Sequence, residues 1–180
     1  MKVRLVEARD ADAWAILYAG YREFYRLSGD PATVEKTWRW VRNGEHGLVG
    51  IVAVAEDDRP VALANLRWFA RPSSATMGLY LDDLFTSPAA RGRGAAGALL
   101  EDAAVRAREG GGSVVRWITE ADNETARSVY DAHAVATPWV TYDMAAATNR
   151  LSVGALSDGE TGASPGTHDL PKSGRKATPR

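Results

Sequence analysis

Apolar residues recur along this chain in two alternating rhythms, one of helical period and one of extended runs. Val3 to Glu7 reads as a short strand. Beyond it Trp14, Leu17, Tyr18, Tyr21 and Tyr25 fall three and four residues apart, which predicts a helix with one aromatic face and Asp10 as its cap. Asp30 followed by Pro31 is an N-cap with proline at the first helical position, and it opens a second helix with Val34, Trp38 and Val41 inward. Leu48 to Ala55 and Val61 to Phe69 are read as strands joined through the polar turn Glu56-Asp57-Asp58-Arg59-Pro60, and Met77 to Thr86 as a third. A helix from Gly94 to Glu109 places Ala96, Leu99, Leu100, Ala103 and Ala107 on one face and stops at Gly110-Gly111-Gly112. Val114 to Ile118 is a short strand, Asn123 to His133 a helix and Thr137 to Met144 a last strand. The order β-α-α-β-β-β-α-β-α-β is that of a mixed α/β layer fold.

The junction between the third strand and the helix after it carries the strongest chemical signal. Arg91-Gly92-Arg93-Gly94-Ala95-Ala96-Gly97 is poor in side chains and runs straight into the helix. Free backbone N–H groups, the helix dipole and two arginines converge there, which makes it a phosphate site. The turn lacks the Lys-Ser/Thr ending of a P-loop, which argues against ATP or GTP.

Composition narrows the field further. The chain has 180 residues, 45% apolar and 25% charged, as expected for a globular protein with one main domain. Its formal charge of −1 gives no reason to expect nucleic acid or a membrane surface as partner. It has no cysteine, which removes disulfides, thiolate nucleophiles and Cys-bound zinc. His46 and His133 have no partners at metal-ligand spacing, so no metal is expected. The N-terminus has no apolar targeting segment, and a cytoplasmic location is expected. Domain limits of 1–147 follow, with 148–180 a disordered low-complexity tail of Gly, Ser, Thr, Pro and charge. The tail ends in KSGRKATPR and is read as solubilising, with docking to nucleic acid or an acidic surface as the other possibility.

With the strand, the turn and the element order together, residues from Val3 to about Met144 resemble the GCN5-related N-acetyltransferases. Their signature of Arg or Gln, two residues, Gly, one residue and Gly or Ala is matched by Arg91 to Ala96. A second motif, Asn123-Glu124-Thr125-Ala126-Arg127-Ser128-Val129-Tyr130, matches the family's Asn at a helix start and Tyr seven residues on. Taken singly, Asn123 is also a good N-cap and Tyr130 a plausible core residue. Tyr80-Leu81-Asp82-Asp83-Leu84-Phe85 is similar to a segment of the spermidine/spermine acetyltransferases, and Tyr21 to Tyr25 to their acceptor-binding cluster. The fungal Hpa-type acetyltransferases look similar too, so the acceptor stays open. One departure is visible. Where the family has Gly-Phe after the Tyr, this chain has Asp131-Ala132-His133-Ala134-Val135, so its last hairpin is shortened or completed by a second subunit, and a homodimer is expected.

The resemblance implies acetyl-CoA as co-substrate and direct attack of an amine on the thioester. Leu84, Phe85 and Thr86 would pair with pantetheine, a backbone N–H near Leu84 would hold the thioester oxygen, and Asn123 would line the cofactor site. Arg91, Gly92, Arg93, Gly94, Ala95, Ala96 and Gly97 would hold the diphosphate. An alkylammonium of pKa about 10.4 is only about one part in a thousand neutral at pH 7, so a proton acceptor is needed. Asp82 matches the family's acidic position and is the expected base and cation holder. Asp83 points to the opposite face of a regular strand unless a bulge intervenes. Tyr130 is the expected acid toward the leaving thiolate. Tyr21 and Glu23, with Tyr25, Trp38, Trp40 and Trp68, are candidates for the acceptor side, where aromatic faces and carboxylates suit an ammonium. The substrate would be a primary amine of a small molecule, such as a polyamine or amino acid, or of a basic peptide. A non-catalytic acyl-CoA sensor is the alternative.

Overall fold

The structure, a computed structural model, describes residues 1–145. In chain order its elements are β1 (Lys2–Leu5), α1 (Ala11–Phe24), α2 (Pro31–Asn43), β2 (Leu48–Val54), β3 (Pro60–Arg71), β4 (Thr76–Thr86), α3 (Ala95–Glu109), β5 (Gly112–Arg116) and α4 (Glu124–Asp131). One mixed sheet runs β1-β2-β3-β4-β5. Its first four strands are antiparallel neighbours, and β5 joins β4 in parallel across the α3 connection.

The strands are nearly continuous apolar runs because both faces of the sheet are covered. Ile51, Ala53, Ala62, Ala64, Leu66, Leu79 and Leu81 pack on one face with Ala95, Leu99, Leu100, Ala103 and Ala107 of α3. Val52, Val54 and Leu63 pack on the other with Trp14, Leu17 and Tyr18 of α1 and Val41 of α2. Three alanines on the inner side of α3 let it lie close to the sheet. Ala95 is one of them, and the expected Ala96 is only half-buried.

Two further sequence expectations are corrected at the element level. Asp10 does not cap α1 with its side chain. The carboxylate turns back, accepting the Glu7 N–H at 2.7 Å and both Arg4 guanidinium nitrogens at 2.7 and 2.9 Å. Thr137 to Met144 forms no strand. Pro138 withholds a donor there, and β-propensity alone builds no strand without a ladder partner. The chain divides into two compact units, Met1–Thr137 and Pro138–Arg180. All the elements named above belong to the first. The expected tail, 148–180, lies outside the described residues. Among the described residues no helix is long and apolar enough to cross a membrane.

Two irregularities of β4 shape everything that follows. Against β3, Asn65 pairs with Asp83 and Leu66 with Leu81, which leaves Asp82 as an extra residue, a β-bulge. Leu81 and Leu84 therefore pack toward the same α3 face, whereas Phe85 packs toward α1. Against β5, the pairing ends at Tyr80 and Arg116. Beyond that point β4 continues to Thr86 with no strand on its β5 side among the described residues.

Candidate functional site

The opening between β4 and β5 lies at the C-terminal ends of two parallel strands, where open α/β sheets place their ligands. Backbone groups of Leu84, Phe85 and Thr86 that point away from β3 face it. At the end of β4, Pro88–Ala90 makes one tight turn, and Gly92 and Gly94 follow with φ of 72° and 79°. A Cβ at either glycine would meet nothing within 4 Å. These glycines are required by the left-handed backbone, not by crowding. The bond from the Ala98 N–H to the Gly94 carbonyl is the first of the helix, so the N–H groups of Ala95, Ala96 and Gly97 precede it without an intrahelical acceptor. Arg91 folds against β4, its guanidinium 6.0 Å from the Phe85 ring centroid, and Arg93 is exposed. The structure thus brings all seven residues from Arg91 to Gly97 to one anion-receptive turn.

Tyr130 lies close to the end of β5. Its ring meets that of Trp117, just past β5, at 5.3 Å between centroids, and it packs on the α3-side core. Burial pushes its phenol up to about 12, and the neighbouring Tyr25 adds to this. Asn123 caps α4, its side-chain oxygen accepting the Ala126 N–H at 3.2 Å. The capping role is therefore realised, and it places the residue beside Tyr25, with which its side chain interacts.

The bulge decides the acidic end of the site. Asp83 lies on the α1 side, where its carboxylate accepts the Asn65 amide N–H at 2.9 Å and interacts with the Tyr21 side chain. Burial raises the Asp83 pKa above the usual carboxylate value, against the opposing pull of Asn65 and Tyr21. Asp82 is more exposed and forms an ion pair with Arg67 at 2.9 Å, and Arg67 in turn lies over the Tyr80 ring. Burial raises Asp82 as well, with Arg67 opposing it. Tyr21 donates to the Asp82 carbonyl at 3.5 Å, and its ring stacks on Tyr18 and meets Tyr25 at a tilt.

Some expected residues are not in this cluster. Glu23 is exposed, since two residues along a helix turn a side chain about 200° away from the Tyr21 face. Trp38 packs on Trp14 in the core beneath α1, Trp40 pairs with His46 and Lys36, and Trp68 fills the space over Gly110 and Gly112. Asn65, Arg67 and Trp117 escaped the sequence reading. Asn65 had a usable signal, a lone amide inside the apolar run Val61-Ala62-Leu63-Ala64-Asn65-Leu66. Among the described residues no group of acidic or histidine side chains could hold a metal.

The chain is similar to known proteins. The profile of the Acetyltransferase (GNAT) family matches residues 14–134. The chain is 35% identical over 133 residues to the uncharacterized N-acetyltransferase YhfO of Bacillus subtilis (strain 168), covering 73% of this chain and 87% of that protein. A crystal structure of a probable acetyltransferase superimposes with a TM-score of 0.73 at 25% identity, covering 83% of this chain and all of the other. AAC(6')-Iy, solved with the bisubstrate analogue CoA-S-monomethyl-acetylneamine, gives a TM-score of 0.68 at 16% identity over 80% of this chain and 97% of its own. The family uses acetyl-CoA, and the splayed sheet, the turn and the matched profile lead to one conclusion: this chain belongs to the GNAT family and is an acetyl-CoA-dependent N-acetyltransferase.

Proposed function

We propose that the chain transfers acetyl directly from acetyl-CoA to a primary amine of a small molecule or basic peptide. The observation that carries this reading is the opening beyond Tyr80 and Arg116, with the α3 N-terminus following β4 and Tyr130 packed on Trp117 just past β5. The turn from Arg91 to Gly97 holds the diphosphate, and the free edge of Leu84 to Thr86 binds the pantetheine amides. A backbone N–H near Leu84 meets the thioester oxygen as charge gathers on it.

On the other side, Asp82 and Asp83 draw the ammonium in and Tyr21 positions it. Tyr130 keeps its proton at any working pH and donates a hydrogen bond to the departing sulfur. Full proton transfer from a phenol near 12 to a thiolate near 8.5 is uphill by about 5 kcal/mol, so the thiol proton comes in the end from the attacking nitrogen. Among the described residues the outer edge of β5 pairs with no strand, which supports a homodimer, and sedimentation equilibrium would show it as a doubled mass.

The test is thiol release from acetyl-CoA with a panel of polyamines, amino acids of both hands and basic peptides. Turnover with one class supports the reading. Thermal stabilisation by CoA without turnover of any acceptor would overturn it and favour an acyl-CoA sensor.

A further inference from the structure

The charges around the acceptor end are one-sided. Asp83 faces Tyr18, Tyr21 and Tyr25 from α1, with Asp82 as its neighbour on β4, and Glu120 acts on Tyr25 from beyond β5. Two arginines act on this group, and both are already engaged. Arg67 is ion-paired with Asp82 and stacked on Tyr80. Arg22 donates twice to the Ser28 carbonyl and sits 5.8 Å over the Tyr18 ring.

The polar floor of the corner is Asn65, only 1% exposed. One of its amide N–H groups donates to Asp83, and its amide oxygen is buried with no hydrogen-bond partner among the described residues. The side chains therefore offer acceptors and aromatic faces to a newcomer, and no uncommitted cation.

We propose that this corner selects acceptor amines that carry no carboxylate, and that it receives their ammonium on Asp83. The inference rests on the acetyl-transfer reading above. A free carboxylate on the substrate would have to approach Asp82 and Asp83 while Arg67 and Arg22 are held by Asp82 and the Ser28 carbonyl, and like charges at that range repel. An ammonium finds the Asp83 carboxylate and the tyrosine rings.

The proton balance follows. R–NH3+ gives one proton to Asp83, and the freed lone pair attacks the thioester carbon. The C–S bond breaks and the nitrogen's second proton passes to the sulfur. Asp83 then returns its proton to water. The products are the acetamide, CoA thiol and one proton.

The experiment compares matched pairs on the intact chain: cadaverine against lysine, agmatine against arginine and tyramine against tyrosine. The decarboxylated member of at least one pair is expected to have a kcat/KM tenfold or more higher. In Asp83→Asn, turnover of that amine falls at least a hundredfold, and calorimetric binding of the amine to the CoA complex weakens at least tenfold, with CoA affinity within twofold. Equal or better turnover of the amino acids overturns the inference and leaves acetyl transfer standing, as does an Asp83→Asn enzyme within threefold of the parent. A chain that binds CoA yet acetylates nothing overturns the acetyl-transfer reading itself. The pair ratios are measured on the unsubstituted protein, so they stand even if the variant folds poorly.

Discussion

At the residue scale, Tyr130 shows how a single environment sets a role. The phenol sits against Trp117 and burial drives its pKa up to about 12, so it stays neutral and suits the proposed donor role. Replacing it with phenylalanine keeps the ring packing and removes only the O–H. Tyr130→Phe is expected to lower kcat at least tenfold with little change in the KM for acetyl-CoA, as read from initial rates. The pH profile of the parent enzyme follows from the same reasoning. Asp82 and Asp83 both have raised pKa values, so activity falls on the acid side as the proton acceptor becomes protonated. No descending limb from Tyr130 appears below about pH 10. A basic limb near 9 that vanished in Tyr130→Phe would contradict this assignment.

At the element scale, the approach of α1 to β4 depends on Gly20. A Cβ there would stand 2.7 Å from the tip of the Phe85 ring. Gly20→Ala gains about 1 kcal/mol of helix propensity and loses about 1–3 kcal/mol to overpacking. The expected net result is a melting temperature lower by a few degrees, with a raised KM for the amine, because Tyr21 and Phe85 move together. An unchanged melting temperature would mean the ring has room to turn.

The same elements show what the sequence could reveal. The turn from Arg91 to Gly97 was legible because its glycines serve a local backbone need, and α3 because Leu99, Leu100, Ala103 and Ala107 keep helical period. The bulge at Asp82 was not legible. Two adjacent aspartates look alike in sequence, and only the pairing of Asn65 with Asp83 tells which one turns inward. Glu23 was misplaced for a simpler reason, since the 200° step from Tyr21 was available from helical geometry alone. The supposed last strand had the right residue types and lacked a neighbour, which is a tertiary fact.

At the scale of the whole molecule, the charge network at the start of the chain ties β1 to the turn between β2 and β3. Arg4 holds the buried Asp10 and also meets Asp58, which Lys2 and Arg9 reach as well. Burial opposes ionisation of Asp10, yet the Arg4 bonds and the Glu7 N–H outweigh it, and its pKa lies below the ordinary aspartate value of 3.8. The folded state therefore gains stability from this group above pH 3.8 and loses it as pH falls through the lowered value. Arg4→Met would leave the Asp10 charge buried without its partner. Chemical denaturation at pH 7 is expected to show a loss of about 3–5 kcal/mol, shrinking toward pH 3 as Asp10 takes a proton.

The opening between β4 and β5 has a thermodynamic consequence for the whole chain. A sheet in which β4 runs six residues past β5 is unfinished, and a ligand that pairs along that edge would act as a removable strand. Folding and cofactor supply are then linked by mass action. At a hundredfold excess over its dissociation constant, such a ligand deepens the native well by about 2.7 kcal/mol. The protein's resistance to unfolding would thus follow the acetyl-CoA level of its surroundings, strongest when substrate is plentiful and weakest when it is scarce.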